Sequence, residues 1–144
     1  MAIELDDEIL QDFLVEAGEI LEKLGEQLVE LEQSPHDLEL LNAIFRGFHT
    51  VKGGAGFLAI NPLVEICHSA EDVFNVLRQG SRQVTPDLMD AILQVLDIVN
   101  EMFNEVRAGN LPDDAPIAIL QRLKTYSQPA DAITEAPAPT QAPP

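Results

Sequence analysis

The segment Phe48-His49-Thr50-Val51-Lys52-Gly53-Gly54-Ala55-Gly56-Phe57-Leu58 carries the residues best suited to chemistry in this 144-residue chain. An imidazole is a nucleophile and a proton carrier near neutral pH, so phosphoryl acceptance lies within its range. Lys52 follows His49 by three residues, and on a helix the two share a face. Gly53 and Gly56 continue that face without side chains, and Gly54 adds a third glycine. Each glycine inside a helix costs about 1 kcal/mol relative to alanine. Three together weigh on a fold whose net stability is of order 5–15 kcal/mol. Access for a large partner to His49 is one reason to retain them; the other reading is a helix end that merely frays. Phe57, Leu58 and Ile60 resume the apolar pattern and favour access. Arg46, three residues before His49, makes this a local cationic site where an anion such as a transferred phosphate is tolerated.

A second group is His68 and Glu71, three residues apart and on one helical face with Val64, Asn75 and Arg78. If two antiparallel helices meet at Asn61-Pro62, His49 lies about 12 residues before the turn and Glu71 about 10 after it. At about 1.5 Å per residue they reach similar heights. Glu71 can then accept a hydrogen bond from one ring nitrogen of His49 and leave the other nucleophilic, as a carboxylate orients a histidine in a catalytic triad. The competing reading is a surface Glu71 paired to Arg78. Glu65-Ile66-Cys67-His68 has the Glu-x-x-His spacing of di-iron bundles, but such sites need two copies, and there is one. Gly53-Gly54-Ala55-Gly56 leads into Phe57 rather than Lys-Ser/Thr, so it is no Walker loop. No metal site and no ATP site are expected in this chain.

The elements that must hold these residues are helical. Leu10, Phe13, Ala17, Ile20, Leu24, Leu28 and Leu31 form one apolar stripe, ended at Ser34-Pro35. A second helix starts near Asp37, buries Leu41, Ile44, Phe45, Phe48, Val51, Ala55 and Leu58, and stops before Asn61-Pro62. Asn61 is the expected cap of a third helix that buries Leu63, Ile66, Cys67, Ala70, Phe74 and Leu77, with Gly80 at its end. Thr85-Pro86 opens a fourth, with Leu88, Ile92, Val95, Val99, Met102 and Val106 inward. A weaker fifth runs from roughly Asp114 to Tyr126 with Ile117, Leu120 and Leu123 as its buried side. The fold class is all-α: an antiparallel up-down four-helix bundle with a fifth, C-terminal helix, spanning 1–126. Residues 127–144 are a Pro/Ala-rich linker, expected to be disordered and to lead to further domains.

Composition narrows the function. The net charge of -17 disfavours nucleic acid and anionic membranes as partners. The acidic start, Met-Ala-Ile-Glu-Leu-Asp-Asp-Glu, does not read as a secretion signal, and no apolar run is long enough for a membrane span. The single cysteine, Cys67, excludes an internal disulfide and suits a reducing compartment, so the cytoplasm is the expected location.

His49-Thr50-Val51-Lys52-Gly53-Gly54-Ala55-Gly56-Phe57-Leu58, preceded by Leu41-Asn42-Ala43-Ile44-Phe45-Arg46, resembles the phosphotransfer domain of the chemotaxis histidine kinases of the CheA type. The likeness covers about residues 5–126, and the His68-x-x-Glu71 pair narrows it to CheA-like kinases. The family often has glycine where this chain has Ala59. The resemblance implies that His49 is phosphorylated, Lys52 lies beside the phosphate, Glu71 hydrogen-bonds the imidazole and His68 joins that network. It implies that Gly53 and Gly56, with Arg46 beside them, let a partner dock. ATP and Mg would be bound by a separate kinase domain of the same protein, acting in trans. The phosphoryl group would pass to an aspartate of a response regulator. Two other readings remain at this point: a stand-alone phosphorelay intermediate, and a non-catalytic acidic helical adaptor.

Overall fold

A computed structural model describes residues 7–129, which form five α-helices and no strand. Helix α1 spans Glu8–Gln33, α2 Leu38–Phe57, α3 Asn61–Arg78, α4 Pro86–Arg107 and α5 Ile117–Tyr126. Helix α1 packs on α2 and α4, and α3 packs on α2 and α4, which closes a ring of four antiparallel helices. Helix α5 lies against α3 and α4. The expected linker falls outside the described residues beyond position 129.

Local chemistry explains the boundaries. Asp7 accepts from the Ile9 amide at 2.8 Å, Asp37 from Leu40 at 3.2 Å and Thr85 from Leu88 at 3.2 Å. Each satisfies a donor that the first helical turn leaves without a partner. Ser34 closes α1, with Pro35 beyond it. At Gly80, φ of +78° lets the chain leave α3 in the left-handed region.

Two expectations shift here. Asn61 lies inside α3, and the cap position belongs to Ile60, which offers no side-chain bond. The turn instead closes α2: Ala59 has φ +61°, and the Ile60 amide donates back to the Ala55 carbonyl at 2.8 Å. Position 59 is thus one where glycine would be the easier residue. Helix α5 is also shorter than expected: Leu123 is buried and Leu120 packs against the core as expected, but Ile117 is 70% exposed and Ile119 is buried in its place. Asp114 to Pro116 precede the helix, and Pro116 sits at its cap position.

In α1 to α4 the expected apolar positions are buried except Ile20, Phe45 and Leu58, which are partly buried, and the core is wider than the stripes, taking in Leu14, Leu21, Leu40, Val73 and Phe103 as well. Phe48 and Phe74 stack between α2 and α3 at 5.9 Å, and Phe13 meets Phe103 between α1 and α4, also at 5.9 Å. Phe13 also lies on the backbone of α2 at Gly54. A Cβ at Gly54 would stand 2.6 Å from the Phe13 ring, whereas one at Gly53 would meet nothing within 4 Å. Gly54→Ala is therefore expected to lower stability by about 1–2 kcal/mol through overpacking. Gly53→Ala should raise it by up to about 1 kcal/mol, the helix-propensity gain. Ala59→Gly should also stabilise, by about 1 kcal/mol, by removing left-handed strain. Urea unfolding midpoints of the three variants check these signs; a Gly54→Ala protein as stable as Gly53→Ala would contradict the packing.

Candidate functional site

The site is built across the α2–α3 pair. Residues of the two helices meet in antiparallel register: Lys52 and His49 face Glu71, and Phe45 and Asn42 face Arg78. The expected height match of His49 and Glu71 is what this pairing delivers. His49 Nδ1 is hydrogen-bonded to Glu71 Oε2, and Lys52 Nζ donates to Glu71 Oε1. The carboxylate is buried, with its side chain 7% exposed, while the His49 side chain is 63% exposed. Lys52 lies between, at 23%.

This arrangement defines the imidazole. A carboxylate paired to an ammonium accepts hydrogen bonds and donates none, so the proton sits on Nδ1. Nε2 then carries the free lone pair on a ring that stands largely in solvent. Glu71 is not paired to Arg78. That guanidinium instead lies 3.7 Å from the centroid of Phe45 and donates to Asn75 Oδ1 at 3.1 Å and Asn42 Oδ1 at 3.4 Å.

The neighbouring surface is bare. Gly53 faces open space, and a Cβ at Gly56 would meet only Val64, at 3.9 Å. Arg46 is exposed one turn before His49 and, among the described residues, has no ion pair. The glycine cluster thus divides: Gly54 admits Phe13 from α1, while Gly53 and Gly56 leave the His49 side uncovered. Phe57, whose apolar character suggested packing, is 74% exposed at the end of the same helix. Its position after two uncovered glycines is the signal that marks it as part of this surface.

His68 departs from its expected role. It is turned outward to Asp72, with Nε2 3.4 Å from Oδ2 and both side chains more than half exposed. Its helix neighbour one turn on takes the interaction, while both Glu71 oxygens are engaged by α2. Sequence reasoning also passed over Phe45 as more than a core residue. Its ring lies 6.2 Å from the His49 ring with the planes only 8° apart. The four-residue spacing of an aromatic and the histidine was the available signal.

Cys67 lies one turn before Glu71 on α3 and is fully buried. Burial pushes its thiol up to about 12, the Glu71 charge adds to this, and Lys52 opposes it. It is packing, not a nucleophile. A thiol-specific reagent at pH 8 should leave the folded protein unmodified and react at once in urea; fast labelling of the folded state would contradict this burial. Glu71→Gln should remove the preference for the Nδ1-protonated ring, because an amide can donate as well as accept. Nitrogen chemical shifts of His49 would then move to values for mixed tautomers, with helical circular dichroism retained. Unchanged shifts would mean that Glu71 does not set the tautomer.

Comparison with known proteins bears on what such a site is. The Hpt domain family matches residues 8–115. The sensor histidine kinase CheAY of Helicobacter pylori is 47% identical over 105 residues, which is 72% of this chain and 13% of that protein. The chain therefore spans a small part of that relative's length. A solved histidine phosphotransfer domain of CheA is 32% identical, with a TM-score of 0.76 over 84% of this chain and 92% of that one. The phosphorylated P1 domain of CheA3 from R. sphaeroides, solved in complex with CheY6, shares the fold at 19% identity, with a TM-score of 0.75 over 83% of this chain and 95% of that one. Matched by the family over residues 8–115 and 47% identical to a CheA relative over 72% of its own length, the chain belongs to the Hpt domain family, as a histidine phosphotransfer domain of the CheA kind.

Proposed function

We propose that His49 Nε2 accepts the γ-phosphoryl group of ATP from a separate kinase domain and passes it to an aspartate of a response regulator. The observation that carries this is the division of the imidazole: Nδ1 is held by a buried carboxylate, and Nε2 stands free in solvent. ATP and Mg belong to the kinase domain, which acts in trans as part of a longer cytoplasmic protein. The CheAY relative named a sensor histidine kinase supports the donor, and the CheA3 domain held by CheY6 supports the recipient.

The chemistry follows from the geometry. Nε2 attacks the γ-phosphorus, the P–N bond forms, and the bond from phosphorus to the ADP oxygen breaks. The ring gains positive charge as this happens. Glu71, fixed at Nδ1–H, offsets that charge, as the carboxylate does for an imidazolium in a catalytic triad. The incoming phosphoryl oxygens bring negative charge, and Lys52 and Arg46 are the cations within reach of this helix face. Phosphoryl transfer depends chiefly on positioning and charge stabilisation, and the domain supplies both. In the second half-reaction an aspartate oxygen attacks the same phosphorus, and Nε2 leaves as a neutral nitrogen. The bare backbone at Gly53 and Gly56 gives two successive large partners room to approach.

With a CheA-type kinase core and ATP, the protein should become labelled on a single histidine. The phosphate should be stable in base, lost in acid, and bonded to Nε2 by nitrogen–phosphorus coupling. His49→Gln should lose all labelling with its helical circular dichroism intact. Phosphate on Nδ1, or labelling that survives the substitution, would overturn the assignment.

A further inference from the structure

Glu71 holds Nδ1 through a single hydrogen bond, which tolerates a spread of donor positions and angles. An imidazole that is 63% exposed can still rock about its Cβ–Cγ bond within that spread and carry Nε2 with it. The lone pair of Nε2 lies in the ring plane, so such a turn misdirects it from the phosphorus. A second restraint is needed, and the structure contains one.

We propose that Phe45 and Arg78 are positioning residues for His49, setting the plane of its ring while Glu71 sets its tautomer. The proposal rests on the reading of His49 as the phosphoacceptor. Phe45 precedes His49 by one helical turn, and the two rings are 8° from parallel at a centroid distance of 6.2 Å. That is an offset stack within the usual range for aromatic pairs. Phe45 is only half-buried and would be free to tilt if left alone. Arg78 prevents this: its guanidinium lies 3.7 Å from the Phe45 centroid, a close cation–π contact.

Arg78, like Arg82, Arg107 and Arg122, lies over an aromatic ring, and at 3.7 Å its contact is the shortest of these four. The chain has 25 acidic residues and eight Lys or Arg. Yet Arg78, among the described residues, is paired to no carboxylate. Its Nε donates to Asn75 Oδ1 at 3.1 Å and its Nη1 to Asn42 Oδ1 at 3.4 Å. Two neutral amides hold the guanidinium over the ring without neutralising it. Asn42, Phe45 and His49 come from α2, and Glu71, Asn75 and Arg78 from α3. One row of contacts across the helix pair therefore ends at the imidazole: amides, guanidinium, phenyl, imidazole. The phenyl ring transmits the restraint, and the arginine acts through it rather than on the phosphate.

The test uses the 144-residue chain with Arg78→Met, Phe45→Leu, their combination, and Phe45→Tyr. Single-turnover phosphorylation by a CheA-type kinase core is measured alongside NMR couplings that report the His49 side-chain rotamer. A misalignment of about 1 Å at a reacting atom can cost a hundredfold in rate. For a loosened ring, Arg78→Met and Phe45→Leu are each expected to slow the maximal rate by about tenfold with KM unchanged. The double variant should be no slower than the worse single one, because both act through the same stack. Phe45→Tyr should keep the original rate, and the His49 couplings should average in the slowed variants only. Slowing by Arg78→Met but not by Phe45→Leu would assign Arg78 a charge role and overturn the proposal, as would original rates or an unaveraged His49 rotamer in both folded variants. If the unsubstituted chain takes no phosphate, the phosphoacceptor reading fails, while the couplings still decide whether the stack orders the ring.

Discussion

The buried carboxylate of Glu71 is the constraint around which the α2–α3 pair is organised. Removing a charge from water costs several kcal/mol unless partners replace the solvent. Helix α2 supplies both partners from one face, His49 to one oxygen and Lys52 to the other. The register of the two helices follows, because a slide by one turn would leave the carboxylate without either. Phe48 and Phe74 stack directly beneath and reinforce the same alignment. The ion network thus brings specificity rather than bulk stability; the apolar stripes supply the latter.

Exposure and burial are divided residue by residue around that carboxylate. Glu71 and Cys67 are enclosed, Lys52 is partly covered, and His49 reaches outward. A histidine buried as deeply as its partner would have a defined tautomer and no reactive nitrogen in reach. One fully exposed would be reachable but undirected. The glycines follow the same division. Gly54 gives up its side chain to the core, where the Phe13 ring occupies the space, and Gly53 and Gly56 give theirs up to solvent.

The helix count, the stripes of α1 to α4 and the caps at Asp37 and Thr85 were legible in the sequence, because the helical period and cap residues are local signals. So was the meeting of His49 and Glu71, which needed only an antiparallel turn and a rise per residue. Three features were not. The exchange of Ile117 for Ile119 on the inner face of α5 hid because Ile117, Ile119, Leu120 and Leu123 admit more than one apolar face in so short a helix. The outward turn of His68 hid because Asp72 competes for it at close helical spacing. The contact of Arg78 with Phe45 hid because a cation in an acidic chain suggests a carboxylate partner, and nothing local announces a ring instead.

Every polar contact of the site joins residues between Asn42 and Arg78, within one helical hairpin closed at Ala59. Those across the two helices close loops of 19 to 36 residues and require no contact from α1 or α4. The hairpin therefore holds the whole reactive apparatus, and α1 and α4 provide its apolar cover. The surface left bare at Gly53 and Gly56 belongs to the same hairpin, so the reactive imidazole and the ground on which a partner would land are set by one folding unit.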